Sequence, residues 1–232
     1  LGKELEVPEI TGGCGRYRIT SCEALPLAVK VGAYQLPQGQ NEVCGDCCES
    51  FTDGKGSLYI VLSDGMGTGS RARVDSAIAC SVLSKLIKAG IPLPSALETA
   101  NTTLLVKSAD ESFATMDILK INLESGECAV YKAGAATTYI KTSDRLMRAA
   151  LESPPAGTGG KMNVPAQKFR VKCGDVIVMT TDGAVIDEKW LARELSKPSD
   201  PAELSERIAK AARSAENGAR DDISVVAVSV GR

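Results

Sequence analysis

The 232-residue chain contains no histidine. That absence removes Ser-His-Asp and Cys-His hydrolases, histidine phosphotransfer and nearly all catalytic zinc sites. Hydrolytic chemistry must therefore come from carboxylates and metal. No stretch approaches the ~18 uninterrupted apolar residues of a membrane span, and neither an initiator methionine nor a signal-peptide pattern opens the chain at Leu1. The expectation is a soluble domain cut from something longer. Charge of one sign is lacking too: 27 basic and 29 acidic residues lie interspersed and leave a net −2, which gives no footprint for nucleic acid or an anionic membrane. The eight cysteines belong to a chain far longer than the small scaffolds that need disulfides, so reduced thiols and a cytoplasmic setting are expected, any membrane anchor lying upstream.

Local patterning divides the chain. Pro8 and Thr11-Gly12-Gly13 read residues 1–15 as a linker, the remnant of an upstream regulatory region and of a homodimer contact; residues 16–232 read as one domain. Tyr17, Ile19 and Leu27 to Tyr34 predict two early strands. Cys44, Cys47 and Cys48 invite a zinc or redox reading, but one CxxC pair lacks its second half, and small side chains packing in a strand is the favoured account. Leu58 to Leu62 reads as a buried strand. Ser70 to Ala89 has helical periodicity with Gly90 as its stop, and a second helix over 94–107 is marked by Pro92, Pro94 and the Ser95-x-x-Glu98 capping box. Strands follow at Phe113 to Leu123, Cys128 to Lys132, Thr137 to Lys141, Arg145 to Ala149, Phe169 to Val171 and Asp175 to Thr181. Asp187 to Leu195 and Pro201 to Ala215 read as helices, and Asp222 to Val230 as the last strand. Hairpin-like strands with paired helices predict an α+β architecture of two packed sheets with helices outside.

Four aspartate sites share one pattern, an acid at the end of an apolar strand beside a glycine or a second aspartate: Gly45-Asp46, Asp64-Gly65, Asp182-Gly183 and Asp221-Asp222. Asp64 and Asp182 leave their strands whereas Asp221 and Asp222 enter theirs, so antiparallel pairing would gather them on one rim. Carboxylates so gathered repel unless cations sit between them. All-oxygen donors suit Mg²⁺ or Mn²⁺. Two such ions ~3.5–4 Å apart, bridged by Asp64, would activate a shared water for attack on phosphorus. For any single aspartate a turn or helix cap is the ordinary explanation; the ordered set is what favours metal.

The runs Ser63-Asp64-Gly65-Met66-Gly67-Thr68-Gly69, Phe113-Ala114-Thr115-Met116-Asp117, Thr181-Asp182-Gly183 and Arg220-Asp221-Asp222-Ile223-Ser224, with Gly45-Asp46 before them, resemble the metal-dependent protein phosphatases of type 2C. The nearest likeness is to the bacterial branch typified by stage II sporulation protein E. The resemblance implies an antiparallel β-sandwich flanked by helix pairs, four layers in αββα order, and a serine/threonine phosphoprotein phosphatase with two Mn²⁺ or Mg²⁺ ions. It implies that Asp64 bridges the ions and with Asp182 is catalytic, that Asp46 and the Gly65 carbonyl serve one side, and that Asp182 and Asp221 serve the other. Asp222 remains an alternative to Asp221, because neighbouring strand residues face opposite ways. A phosphorylated anti-sigma-factor antagonist, within sporulation and sigma-factor signalling, is the implied substrate.

The chain departs from the family where some relatives carry a histidine acid after the bridging Asp-Gly; Met66-Gly67 stands there. Arg16 and Arg18 are the candidates for gripping phosphate. Two other readings compete: a catalytically silent phosphoprotein-binding module, and a hydrolase of small phosphate esters. The latter lacks a nucleotide loop, since no lysine with Ser/Thr follows the Asp64 glycines.

Overall fold

The strand that leads to Asp64 is buried on both faces, and the layers follow from that. In the computed structural model, which describes residues 7–21, 25–38, 43–67, 69–107, 112–160, 162–215 and 221–232, Tyr59 and Val61 pack towards helices while Ile60 and Leu62 pack towards a second sheet. A strand covered on both sides reads as a continuous apolar run rather than an alternating one, which is why Leu58 to Leu62 is unbroken.

Two short strands open the described chain: β1 (Glu9–Gly13) and β2 (Arg16–Thr20). The body then runs β3 (Ala28–Leu36), β4 (Cys47–Thr52), β5 (Ser57–Ser63), α1 (Gly69–Lys88), α2 (Leu93–Lys107), β6 (Met116–Asn122), β7 (Glu127–Ala133), β8 (Thr138–Lys141) and β9 (Leu146–Ala149). It closes with β10 (Ala166–Arg170), β11 (Val176–Thr180), α3 (Glu188–Glu194), α4 (Pro201–Ala215) and β12 (Ile223–Gly231). One antiparallel sheet has the order β10-β7-β6-β5-β4 and the other β3-β12-β11-β8-β9. Between them lies a core of Ile60, Leu62, Leu119, Ile121, Val130, Ile177, Met179 and Val228. Leu83, Leu97 and Leu104 of α1 and α2 cover the outer face of the first sheet, and Leu191, Leu204 and Ile208 of α3 and α4 cover that of the second. The result is the four-layer αββα sandwich. Truncating a side chain such as Leu119, which has no exposure, to alanine costs about 2–5 kcal/mol.

Three local expectations are corrected. Residues 9–13 are not linker but a strand paired with Arg16–Thr20 through a two-residue turn, in which Cys14 and Gly15 both take positive φ (54° and 81°). The right-handed twist of a tight hairpin selects that turn, and Cys-Gly is a less familiar signature for it than Asn-Gly. All ten hairpin residues are exposed. The Ser95 capping box does not form, because α2 begins at Leu93 and the Ala96 amide donates to Pro92 O at 3.0 Å. Glu98 Oε1 instead accepts from the Met162 amide at 3.2 Å. Phe113 to Thr115 is not regular strand but the approach to β6, bridged through Ala114 to Gly65 and to Ala156. Gly90 does stop α1, with φ 86° and its amide on Ile87 O at 2.9 Å, and Asp187 caps α3 by accepting from the Trp190 amide at 2.7 Å. Among the described residues no helix is long and apolar enough to cross a membrane.

Candidate metal centre

Register gathers the acids. In the first sheet Cys47 pairs with Ser63, so Asp46, entering β4, and Asp64, leaving β5, emerge side by side. In the second sheet Thr180 pairs with Val225, which sets Asp182 beside Asp221 and Asp222. The two pairs meet because both sheets end at the same rim, where Thr181 Oγ1 donates across the sandwich to Asp46 Oδ2 at 3.0 Å.

Asp46 is fully buried beneath the rim. Its backbone carbonyl accepts from Gln35 Nε2 at 3.1 Å and from the Arg73 guanidinium, and its Oδ1 has no protein donor. Ser224, Asp64 and Thr181 neighbour that carboxylate, and of these Asp64 can only share a proton with it. Burial, with the charges of Asp46 and Asp182 added, pushes the Asp64 carboxyl up to about 10; burial likewise raises Asp46. Three crowded acids can all ionise only when positive charge is supplied.

The Asp64 turn is fixed on both sides. Its amide donates to Thr115 Oγ1 at 3.0 Å, its carbonyl accepts from the Thr115 amide at 2.8 Å, and the Met66 amide donates to Phe113 O at 2.9 Å. Gly65 is pressed against α1 so closely that a Cβ would sit 1.9 Å from Ala72 O. The same helix holds the Asp46 segment: Ser76 Oγ donates to Gly45 O at 2.6 Å, one turn beyond Arg73. Gly183 has a similar reason to be glycine, since its Cβ would lie 2.1 Å from Asp222 O.

Adjacent Asp221 and Asp222 differ in what their oxygens do. Asp222 is buried and spends both: Oδ1 accepts from the Gln38 amide at 2.5 Å and Oδ2 from the Gly45 amide at 2.6 Å. Asp221 accepts from the Asp222 amide at 2.8 Å and lines an open cavity of about 320 Å³ with Asp64, Asp182, Gly65, Met66, Gly67, Phe113, Ala114, Thr115 and Pro155. Among the described residues no basic side chain lines it; Arg16 and Arg18 stand on the exposed hairpin. A larger cavity of about 380 Å³, between β11–β12 and α3–α4, lacks this cluster.

The donors fit hard divalent cations. Carboxylate and backbone oxygens converge, and one buried carboxylate oxygen lacks a partner. Among the described residues no three His, Cys, Asp or Glu side chains close into a ready cage, so water and the Gly65 carbonyl would have to complete the shells, as Mg²⁺ in particular favours. The described cysteines form no site of this kind. Cys44 sits 3.8 Å from Ser224 Oγ, Cys80 donates to Cys47 O at 3.6 Å, burial pushes Cys44 and Cys48 up to about 12, and all seven described cysteines are free.

Sequence reasoning gave no role to Gln35, Arg73, Ser76, Thr115, Thr181 or Lys132. Thr115 and Thr181 stand inside the quoted motifs, and Lys132 is the one lysine of β7 and is buried there. Either could have drawn notice. Arg73, Ser76 and Gln35 act on backbone carbonyls from elements far away in sequence, and nothing local marks them.

Residues 54–231 match the stage II sporulation protein E (SpoIIE) family. Stage II sporulation protein E of Bacillus subtilis (strain 168) is 28% identical over 212 residues, which is 87% of this chain but 26% of that protein. The chain thus spans about a quarter of that curated relative's length. The PP2C phosphatase domain with a fragment of the regulatory domain of SpoIIE from Bacillus subtilis superposes with a TM-score of 0.82 at 24% identity, covering 100% of this chain and 71% of that one. The catalytic domain of the serine/threonine phosphatase PstP, in complex with two manganese ions, gives 0.73 at 16% identity, covering 89% of this chain and 100% of that one. Because the family match runs from the β4–β5 turn to the last strand, taking in Asp64, Asp182 and Asp221, the chain belongs to the stage II sporulation protein E family.

Proposed function

We propose that this domain is a Mn²⁺- or Mg²⁺-dependent phosphatase of phosphoserine or phosphothreonine in a regulatory protein, an anti-sigma-factor antagonist being the substrate class its family favours. The observation that carries the reading is the gathering of Asp64, Asp182 and Asp221 from two sheets around an open cavity, with Asp46 buried beneath them and tied to the second sheet by Thr181. Asp64, Asp46, the Gly65 carbonyl, Asp182 and Asp221 would hold the ions, whereas Asp222 is engaged with backbone amides and holds the loop instead. The ions, when bound, supply positive charge to the phosphoryl oxygens and a water acidic enough to attack at neutral pH.

The chain's own residues perform the rest. Thr115 fixes Asp64 through both of its backbone polar groups, and Thr181 fixes Asp46. Met66, 57% exposed, stands at the cavity wall where a proton donor would otherwise be. Met66 has no proton to give, so the leaving hydroxyl takes its proton from solvent, which the open cavity admits.

Turnover of a phosphopeptide should require Mn²⁺, stop in chelator and resume on adding Mn²⁺ back. A folded protein that binds the phosphopeptide yet never hydrolyses it would make this a binding module instead.

A further inference from the structure

A charged network lies under the aspartate rim and takes no part in the chemistry just described. Leu62, Asp117 and Lys132 stand in one row across β5, β6 and β7. Leu62 faces the second sheet, and residues directly opposite on neighbouring strands share a face, so the acid and the lysine both point into the middle of the sandwich. Lys132 is wholly buried and Asp117 is 1% exposed. Lys132 Nζ donates to Asp117 Oδ2 at 2.7 Å, to Thr138 Oγ1 of the other sheet at 2.9 Å and to the Ala136 carbonyl; Thr138 Oγ1 donates to Asp117 Oδ2 at 2.7 Å.

Stability alone does not account for this pair. Replacing a buried ion pair by apolar side chains of similar volume is commonly neutral or stabilising. Here the cost is greater, because Asp117 Oδ1 is buried with no protein donor, and an unsatisfied buried acceptor is expensive. Asp117 is a wall of a small cavity shared with Asp64, Asp182, Thr115, Thr181 and Ala136. About 10 Å³ of it is open to a water molecule, room for one.

We propose that Asp117 and Lys132 are positioning residues for the rim, acting on Asp64 and Asp182 through a single water held in this cavity. One hydrogen of that water goes to Asp117 Oδ1 and the other to a rim carboxylate. The Thr115 hydroxyl, which accepts from the Asp64 amide at 3.0 Å, has its own proton to give to the water oxygen. Lys132 holds the opposite wall by its bond to the Ala136 carbonyl, and its own carbonyl accepts from Ser153 Oγ at 2.6 Å. The pair thereby ties the acids of both sheets to one anchor in the core.

This inference rests on the phosphatase reading, and the test separates the two. Mn²⁺ affinity by titration, melting temperature, and kcat and KM on a phosphopeptide are measured for the wild type, Asp117→Asn, and the apolar pair Asp117→Leu with Lys132→Met. The apolar pair should melt within a few degrees of the wild type, bind Mn²⁺ about tenfold more weakly and lose about tenfold in kcat, with KM within about twofold. Asp117→Asn keeps the shape and should move affinity and kcat the same way, which preserves the test if the double variant fails to fold. A crystal structure of the wild type should show one water between Asp117 Oδ1 and the rim. Wild-type Mn²⁺ affinity and kcat in a folded variant, or a dry cavity in the wild type, would overturn the positioning role. Wild-type turnover indifferent to Mn²⁺ would instead overturn the phosphatase reading.

Discussion

Strands β4 and β11 each carry an aspartate at both ends, and the two ends of the sandwich use them differently. At the end away from the site, Asp53 Oδ1 accepts from the Lys55 and Ser57 amides at 2.8 and 3.0 Å, and Asp175 Oδ2 accepts from the Lys172 amide at 2.9 Å. Those acids close turns. At the site end, Asp46 keeps a buried oxygen with no donor, and burial, with the charges of Asp46 and Asp182 added, pushes the Asp64 carboxyl up to about 10. The residue type is the same; the far-end acids spend an oxygen on closing a turn, whereas Asp46 holds a buried oxygen that no protein donor has used.

The sharpest way to break that contrast is to exchange charge for amide at each end. Asp64→Asn and Asp182→Asn should each lower kcat by at least about 10²–10³-fold while remaining folded, the scale seen when one group that stabilises transition-state charge is removed. Asp175→Asn should leave turnover within about twofold and cost roughly 1 kcal/mol of stability, read from urea midpoints. Full turnover by Asp64→Asn would end the metal-centre account.

Glycines give the next contrast. Gly65→Ala drives a methyl into the Ala72 carbonyl of α1 and must displace the Asp64 turn; a shift of ~1 Å at a catalytic group costs about a hundredfold in rate. Gly174, at the far end, has positive φ (94°) and open space around its Cβ direction. Gly174→Ala should therefore cost only about 1 kcal/mol of backbone strain and leave kcat alone. Similar rates for the two variants would mean that α1 does not hold the site.

A smaller effect separates the neighbours Asp221 and Asp222. Asp221→Asn should weaken Mn²⁺ binding about tenfold with little change in melting temperature. Asp222→Asn turns an amide NH₂ towards a backbone N–H at Gly45 or Gln38 and should cost about 1–3 kcal/mol of stability, with kcat at saturating Mn²⁺ nearly preserved. Calorimetric titration against thermal melting would expose the opposite assignment.

Much of this was legible beforehand, for a reason these pairs make plain. Local signals carry local structure: the burial of β5 and the Gly90 stop both follow from residues within a few positions. The rim was legible because antiparallel register needs only the order in which each acid enters or leaves its strand. The choice between Asp221 and Asp222 was not, since it depends on two amides far away in sequence, at Gln38 and Gly45. The Ser95 capping box misled because Pro92 and Pro94 already start the helix one turn earlier. The buried Lys132 carried a visible oddity, but its partner Asp117 lay on another strand, and only the sheet pairing joins them.

Proton and metal compete for the crowded end alone, and this gives the smallest and most diagnostic effect. In the metal-free protein Asp64 titrates at about 10 against an ordinary 3.8, so between those values the folded state holds a proton that the unfolded chain has released. Stability then falls as pH rises through that interval, the reverse of a carboxylate stabilised in its charged form. Solvent at the open cavity and sharing of protons among Asp46, Asp64 and Asp182 keep the change to on the order of 1 kcal/mol between pH 5.5 and 8.5. Because Asp64→Asn cannot titrate there, the difference in urea midpoint between it and the wild type isolates the term. Mn²⁺ should remove the pH slope and release protons on binding, measurable as a dependence of the calorimetric heat on buffer ionisation enthalpy. A chelated wild type no less stable at pH 8.5 than at 5.5, relative to Asp64→Asn, would show that the acids do not crowd one another, and the two ends of the sandwich would no longer differ.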